Sequence, residues 1–117
     1  MSYQPGSHLI ASLQTKTAAA IERSAHFAAW LDETIARFKL RKLGVVFHDF
    51  EPAGFTAVVC LSESHISIHT WPEYKLINLD IYLSNHERVN DNTVHALFDG
   101  IKAYFDADTL TVQTITR

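Results

Sequence analysis

Thirteen residues, Leu61 to Glu73, hold two histidines, three serines, two glutamates and a tryptophan. Glu63-Ser64 sets a hydroxyl beside a carboxylate residue, and His65 and His69 follow within six positions. Three readings fit these residue types. His65 and His69 could grip one metal ion on a helix, where positions four apart share a face. The local alternation is that of a strand, however, which separates them by roughly 13 Å at about 3.3 Å per residue. Ser64, His69 and Asp80 could form a hydrolytic triad, although the chain has no nucleophile-elbow motif. The plainest reading is a polar hairpin whose histidines find partners locally.

The elements that would position these residues read clearly. His8 to Leu13 predicts a first strand, and Lys16 to Phe38 a helix with Ile21, Ala28, Leu31, Ile35 and Phe38 on one face. Gly44 follows as a stop signal. Val45 to Phe50 predicts a strand, Pro52-Ala53-Gly54 a turn, and Phe55 to Leu61 a strand too continuously apolar to face water. If His65 to Thr70 is a strand, Ile66 and Ile68 point one way and His65, Ser67 and His69 the other. Leu76 to Ser84 alternates likewise, with Ile77, Leu79, Ile81 and Leu83 opposite Asn78, Asp80, Tyr82 and Ser84. Trp71 to Lys75 joins these two strands as antiparallel neighbours. The polar row so formed meets solvent, lines a site, or lies in a subunit interface. Asn90 or Asp91 caps a second helix running to about Phe105, Asp106-Ala107-Asp108 is a loop, and Leu110 to Thr116 is a last strand. The order β-α-β-β-β-β-α-β predicts a two-layer α+β sandwich, with a largely antiparallel sheet and two helices on one face.

Composition narrows the function classes. A chain of 117 residues is one domain, and 47% hydrophobic with 20% charged residues is the balance of a soluble globular protein. No apolar run approaches the roughly 20 residues that span a bilayer, and no secretory leader is visible, so a cytoplasmic protein without membrane contact is expected. The single cysteine, Cys60, excludes an internal disulfide and a multi-cysteine zinc site, and is read as core packing in an apolar strand. With a net charge of −3 and Lys39-Leu40-Arg41-Lys42 as the one basic cluster, read as a helix end, nucleic acid is not an expected partner.

The string Ser62-Glu63-Ser64-His65-Ile66-Ser67-Ile68-His69-Thr70-Trp71-Pro72-Glu73 closely resembles the self-processing segment of the bacterial and archaeal S-adenosylmethionine decarboxylases. Gly6-Ser7-His8-Leu9-Ile10, Phe47 to Gly54, and Asp80-Ile81-Tyr82 extend the resemblance across essentially the whole domain. It implies that the Ser64 hydroxyl attacks the Glu63 carbonyl and that elimination cuts the chain into residues 1–63 and 64–117. The second piece then begins with a pyruvoyl group made from Ser64. That group captures a substrate amine as a Schiff base and draws off the electrons left when CO₂ departs, without metal or external cofactor. By matched position, His69 assists processing and Thr56 stands where a serine also aids it. Phe50 stacks on the substrate's adenine and Glu73 holds its ribose hydroxyls. The resemblance further implies a small amino-acid-type substrate and a homodimer of processed protomers. Without it, Phe50 reads equally as core and Glu73 as a solvated turn residue.

Two departures stand out. Where the family carries a cysteine that protonates the carbanion, this chain has Ser84, a weaker acid than a thiol of pKa about 8.5. Where the family continues its hairpin with glycine, an aromatic and small residues, this chain has Lys75, Leu76, Ile77 and Asn78, whose bulk would reshape the pocket. The expectation is therefore an S-adenosylmethionine decarboxylase of polyamine biosynthesis. The alternatives are a relative redirected to arginine or ornithine, with Asp80 or Glu73 pairing the cationic group, and a regulatory relative that binds an active partner.

Overall fold

The structure is a computed structural model and describes residues 3–86 and 88–117. In chain order it comprises β1 (Ser7–Thr15), α1 (Ala25–Arg37), β2 (Lys42–Asp49), β3 (Phe55–Leu61), β4 (Ser64–Trp71), β5 (Leu76–Leu83), α2 (Asp91–Tyr104) and β6 (Ala107–Thr116). Short 3-10 turns occupy Ala19–Ile21 and Pro72–Tyr74. The strands form one sheet in the order β2-β3-β4-β5-β1-β6, and every neighbouring pair is antiparallel. The expected α+β sandwich is what the chain adopts.

Strand parity builds the core. Leu9, Leu13, Phe55, Val59, Ile66, Ile68, Ile77, Leu79, Ile81 and Leu83 project from one sheet face. They are buried against Phe27, Leu31 and Ile35 of α1 and Val94, Leu97 and Ile101 of α2. Burying each such side chain contributes roughly 1.5–3 kcal/mol. The opposite face stays open, and it carries the polar row.

Four local expectations are corrected. The first helix starts at Ala25, not Lys16, because the preceding polar groups are committed elsewhere. Thr15 Oγ1 donates to the Thr17 carbonyl, the Ser24 N–H donates to Asp49, and Arg23 binds the turn after β2. Ile21 is buried from its 3-10 turn, and the centre of the α1 stripe is Phe27, stacked near Trp30, Phe55 and Phe105. β3 is not buried throughout: its residues alternate, and Val58 and Cys60 lie on the open face, so Cys60 is exposed rather than core packing. Residues 107 and 108 belong to β6 and not to a loop. The chain reverses within Phe105-Asp106, helped by a positive φ of 48° at Asp106, so that Ala107 already pairs with Thr15. No described helix is long and apolar enough to cross a membrane.

Candidate active site

The registers arrange the open face as rows across the sheet. One row runs His48, Thr56, His69, Asn78, Ser12, and another runs Cys60, His65, Tyr82, His8. Between them lie Val46, Val58, Ser67, Asp80 and Ile10. The sequence-predicted residues fall at the two ends of β4.

At the start of β4 lies the Glu63-Ser64 junction. Ser62 and Glu63 form a two-residue loop between the paired Leu61 and Ser64. Two-residue hairpins usually place Gly or Asn at positive φ within the loop. Neither Ser62 nor Glu63 takes that conformation, and the demand falls on Ser64, with φ +143°. A non-glycine residue held there stores on the order of 1–3 kcal/mol. The Glu63 carbonyl accepts the Ser84 N–H at 2.7 Å, so the peptide bond that Ser64 would attack is already polarised by a main-chain donor. Ser64 Oγ lies 3.2 Å from His65 Nδ1. The Glu63 carboxylate is gripped by Arg88 through Nε at 3.0 Å and Nη2 at 3.2 Å, and by the Asn90 amide. Arg41, Ser62, Glu63, Ser84 and His86 line an open cleft beside the loop.

At the far end of β4 lies the second cluster. Thr56 Oγ1 and His69 Nδ1 are 2.5 Å apart. Phe50, His69 and Trp71 line a groove with Pro52, Thr70 and Glu73. Ring centroids are 5.7 Å apart for Phe50 and His69, and 4.4 Å for His69 and Trp71. Phe50 is 39% exposed, so it is a groove wall and not core. Glu73 is exposed at the rim. Arg23 fixes the turn that carries Phe50 by donating to the carbonyls of Phe50 and Pro52 at 2.7 and 2.6 Å. Gly54 is required beneath this groove: at φ +106° an added Cβ would sit 3.2 Å from Pro72 Cδ and from the Thr70 carbonyl.

The hairpin substitutions act less directly than their bulk suggests. Ile77 turns into the core, and Lys75 takes a left-handed φ of 53° that suits glycine. Asn78 acts on the groove through its wall, accepting Trp71 Nε1–H at 2.8 Å and donating to Ser12. Among the described residues no group of three or more histidine, cysteine or acidic side chains is placed to hold a metal ion.

The structure thus joins Thr56 with His69, Phe50 and Glu73, and joins Glu63 with Ser64 and Ser84. It does not join the two sets within one copy. Five residues of strand between Ser64 and His69 correspond to about 16 Å. Sequence reasoning missed Arg88 and Asn90, the second taken only as a helix cap; it weighed His65 only as a metal ligand and gave no role to His48 or Trp71. The β2–β3 register, which sets His48 beside Thr56, was the signal for His48. No local signal marks a carboxylate clamp reaching over 25 residues.

Comparison with known proteins is consistent across sequence and structure. The family model described as S-adenosylmethionine decarboxylase matches residues 7–117. A protein from Archaeoglobus fulgidus named S-adenosylmethionine decarboxylase proenzyme is 42% identical over 77 residues, spanning 66% of this chain and 69% of that one. One of the same name from Picrophilus torridus is 36% identical over 101 residues, spanning 83% and 78%. The crystal structure of the adenosylmethionine decarboxylase from Aquifex aeolicus superposes with a TM-score of 0.79 at 28% identity, over 99% of this chain and 91% of that one. With a family model spanning nearly its whole length and a solved structure superposing over 99% of it, the chain belongs to the S-adenosylmethionine decarboxylase family.

Proposed function

We propose that this chain is a proenzyme that cuts itself between Glu63 and Ser64 and then decarboxylates S-adenosylmethionine. The observation that carries this reading is the junction itself: a strained Ser64 whose preceding carbonyl is held by the Ser84 N–H.

Ser64 Oγ adds to the Glu63 carbonyl carbon, and its proton passes to His65 Nδ1, the acceptor at 3.2 Å. The negative charge that develops on the Glu63 oxygen meets the Ser84 N–H. The Glu63–Ser64 C–N bond breaks, the freed nitrogen takes up a proton, and an ester replaces the amide. Loss of the Ser64 Cα proton expels the Glu63 carboxylate from Cβ, which severs the chain. Water then replaces the nitrogen, which leaves as ammonia, and Ser64 has become a pyruvoyl group. The group keeps the three carbons and the carbonyl oxygen of Ser64 and takes its ketone oxygen from that water, while the former Oγ leaves on the Glu63 carboxylate. Once made, the group supplies a carbonyl for the substrate amine and an electron sink for the carbon that loses CO₂.

Removal of the Cα proton falls to His69, oriented by Thr56. A histidine about 16 Å away along the same strand cannot reach it, so the histidine comes from a second copy. Two copies laid open face to open face with strands reversed bring the His69 end of one to the Ser64 end of the other. The exposed Val46, Val58 and Ile10 at the centre of that face give the contact its apolar middle. The groove of Phe50, Trp71 and Glu73 then lies beside the partner's Ser64, with Phe50 against the adenine and Glu73 on the ribose hydroxyls. Ser84, weak as a direct acid, passes on a proton from water or His69.

Denaturing mass spectrometry tests the first half of the proposal. Chains of 63 and 54 residues, together heavier than the precursor by one water and lighter by one ammonia, are expected. A single intact chain after prolonged incubation rejects it. Release of CO₂ from S-adenosylmethionine, arginine and ornithine tests the second half. Turnover of either basic amino acid without turnover of S-adenosylmethionine rejects the substrate assignment.

A further inference from the structure

Asn90 occupies the N-cap position of α2, where an asparagine ordinarily turns its side-chain oxygen onto the first helical N–H groups. It makes no such bond. Its side chain is buried, with the residue 1% exposed, and both amide contacts go to the cleavage junction. Nδ2 donates to the Glu63 carboxylate and, at 2.8 Å, to the Ser84 carbonyl. The orientation that permits these two bonds leaves Oδ1 buried without a partner. The main chain of Asn90 is fixed in turn, its N–H donating to Asn85 Oδ1 at 2.7 Å. Asn85 is itself tied to Pro5 and Asp91. The amide therefore bridges the two residues that must stay aligned, Glu63 with the scissile carbonyl and Ser84 with the N–H that polarises it.

We infer that Asn90 is a positioning residue for self-cleavage: by bridging the Glu63 carboxylate and the Ser84 carbonyl it holds the scissile carbonyl on the Ser84 N–H for attack by Ser64. The inference rests on the cleavage reading above and assigns Asn90 to the step that makes the ester. Arg88 donates to both oxygens of the same carboxylate, and it ties the junction to the end of α1 through the Phe38 and Lys39 carbonyls.

The test follows wild type, Asn90→Asp and Asn90→Ser from cell-free synthesis onward, by denaturing mass spectrometry with and without hydroxylamine, which cuts an ester but not an amide. Both substitutions retain a good helix cap and remove the bridging amide. With Tm close to wild type, cleavage is expected to slow by about 10²-fold, the cost of a small misplacement of reacting groups. No hydroxylamine-sensitive ester should accumulate. The Asn90→Asp rate relative to wild type should rise as pH falls through the ordinary aspartate range at about 4, where its protonated carboxyl regains one donor.

Wild-type cleavage rates in both folded variants overturn the inference, as does accumulation of the ester, which would place the defect in the elimination. Joint loss of Tm and cleavage in both variants assigns Asn90 to folding and overturns it too. An intact wild-type chain overturns the cleavage reading and this inference together, whereas cut wild type with equally cut variants overturns this inference alone.

Discussion

Complementation between two inactive variants measures whether the two ends of β4 work in trans. His69→Ala removes the base and leaves Ser64 and Glu63 untouched. Ser64→Ala removes the scissile serine and leaves the Thr56–His69 pair intact. A base must come within about 3 Å of the proton it removes, and the strand holds the two sites about 16 Å apart in one copy. Alone, His69→Ala should be cut roughly 10²–10⁴-fold more slowly than wild type, the usual worth of a positioned base. Alone, Ser64→Ala should not be cut at all. Co-expressed in equal amounts, random pairing places roughly half of the His69→Ala copies opposite a copy with an intact His69. That half should appear as two chains by denaturing mass spectrometry, with a tag distinguishing the variants. Wild-type cleavage of His69→Ala by itself would refute the role of His69. Absence of any cut product from the co-expressed pair, with mixed dimers demonstrated, would refute the shared site.

Three further outcomes follow from the geometry. Gly6→Ala would place a Cβ 2.4 Å from the Leu83 carbonyl and 3.1 Å from Ser84 Cα. The strand end must move, which should cost about 1–3 kcal/mol in a denaturant titration and slow cleavage by shifting the Ser84 N–H; unchanged values for both would contradict the tight contact. Arg23→Ala frees the carbonyls of Phe50 and Pro52, so the chain should still be cut while KM for S-adenosylmethionine rises more than kcat falls. A lower kcat at constant KM would remove the Phe50 turn from substrate binding. His8 has its pKa lowered, chiefly by burial, with Asp80 opposing and Arg117 and His65 reinforcing the shift. A depressed folded-state pKa gives stability that is full above the unfolded value of about 6.5 and is lost as pH falls through the folded value. The urea midpoint should therefore drop between pH 7.5 and pH 5.5 more in wild type than in His8→Gln, and equal drops would show that His8 is not the group responsible.

Period-2 alternation makes most of the sheet legible in the sequence, because parity alone sends Ile77, Leu79, Ile81 and Leu83 to the core and Asn78, Asp80 and Tyr82 to the open face. The same logic, applied to Phe55–Leu61, would have exposed Cys60; the unbroken run of apolar residues hid the alternation. Helix boundaries are less legible, since the chain before Ala25 is held by bonds from Arg23 and Ser24 to residues about 25 positions away. The junction Glu63-Ser64 stands out through composition. Its clamp does not, because Arg88 and Asn90 look like ordinary loop and cap residues until the fold carries them to Glu63.

The interleaving of the sheet bears on how long a processed molecule would last. β1 belongs to residues 1–63, yet it lies between β5 and β6 of residues 64–117, and β3 pairs with β4 across the cut. Three ladders would therefore join the two pieces, and neither could peel away as an edge. Once they did separate, reassembly would require two chains to find each other, so refolding would slow with dilution. An intact precursor faces no such encounter. The working lifetime of the cut protein would be set by the height of its unfolding barrier, not by a folding equilibrium, and it would have been folded reversibly only once, before it cut itself.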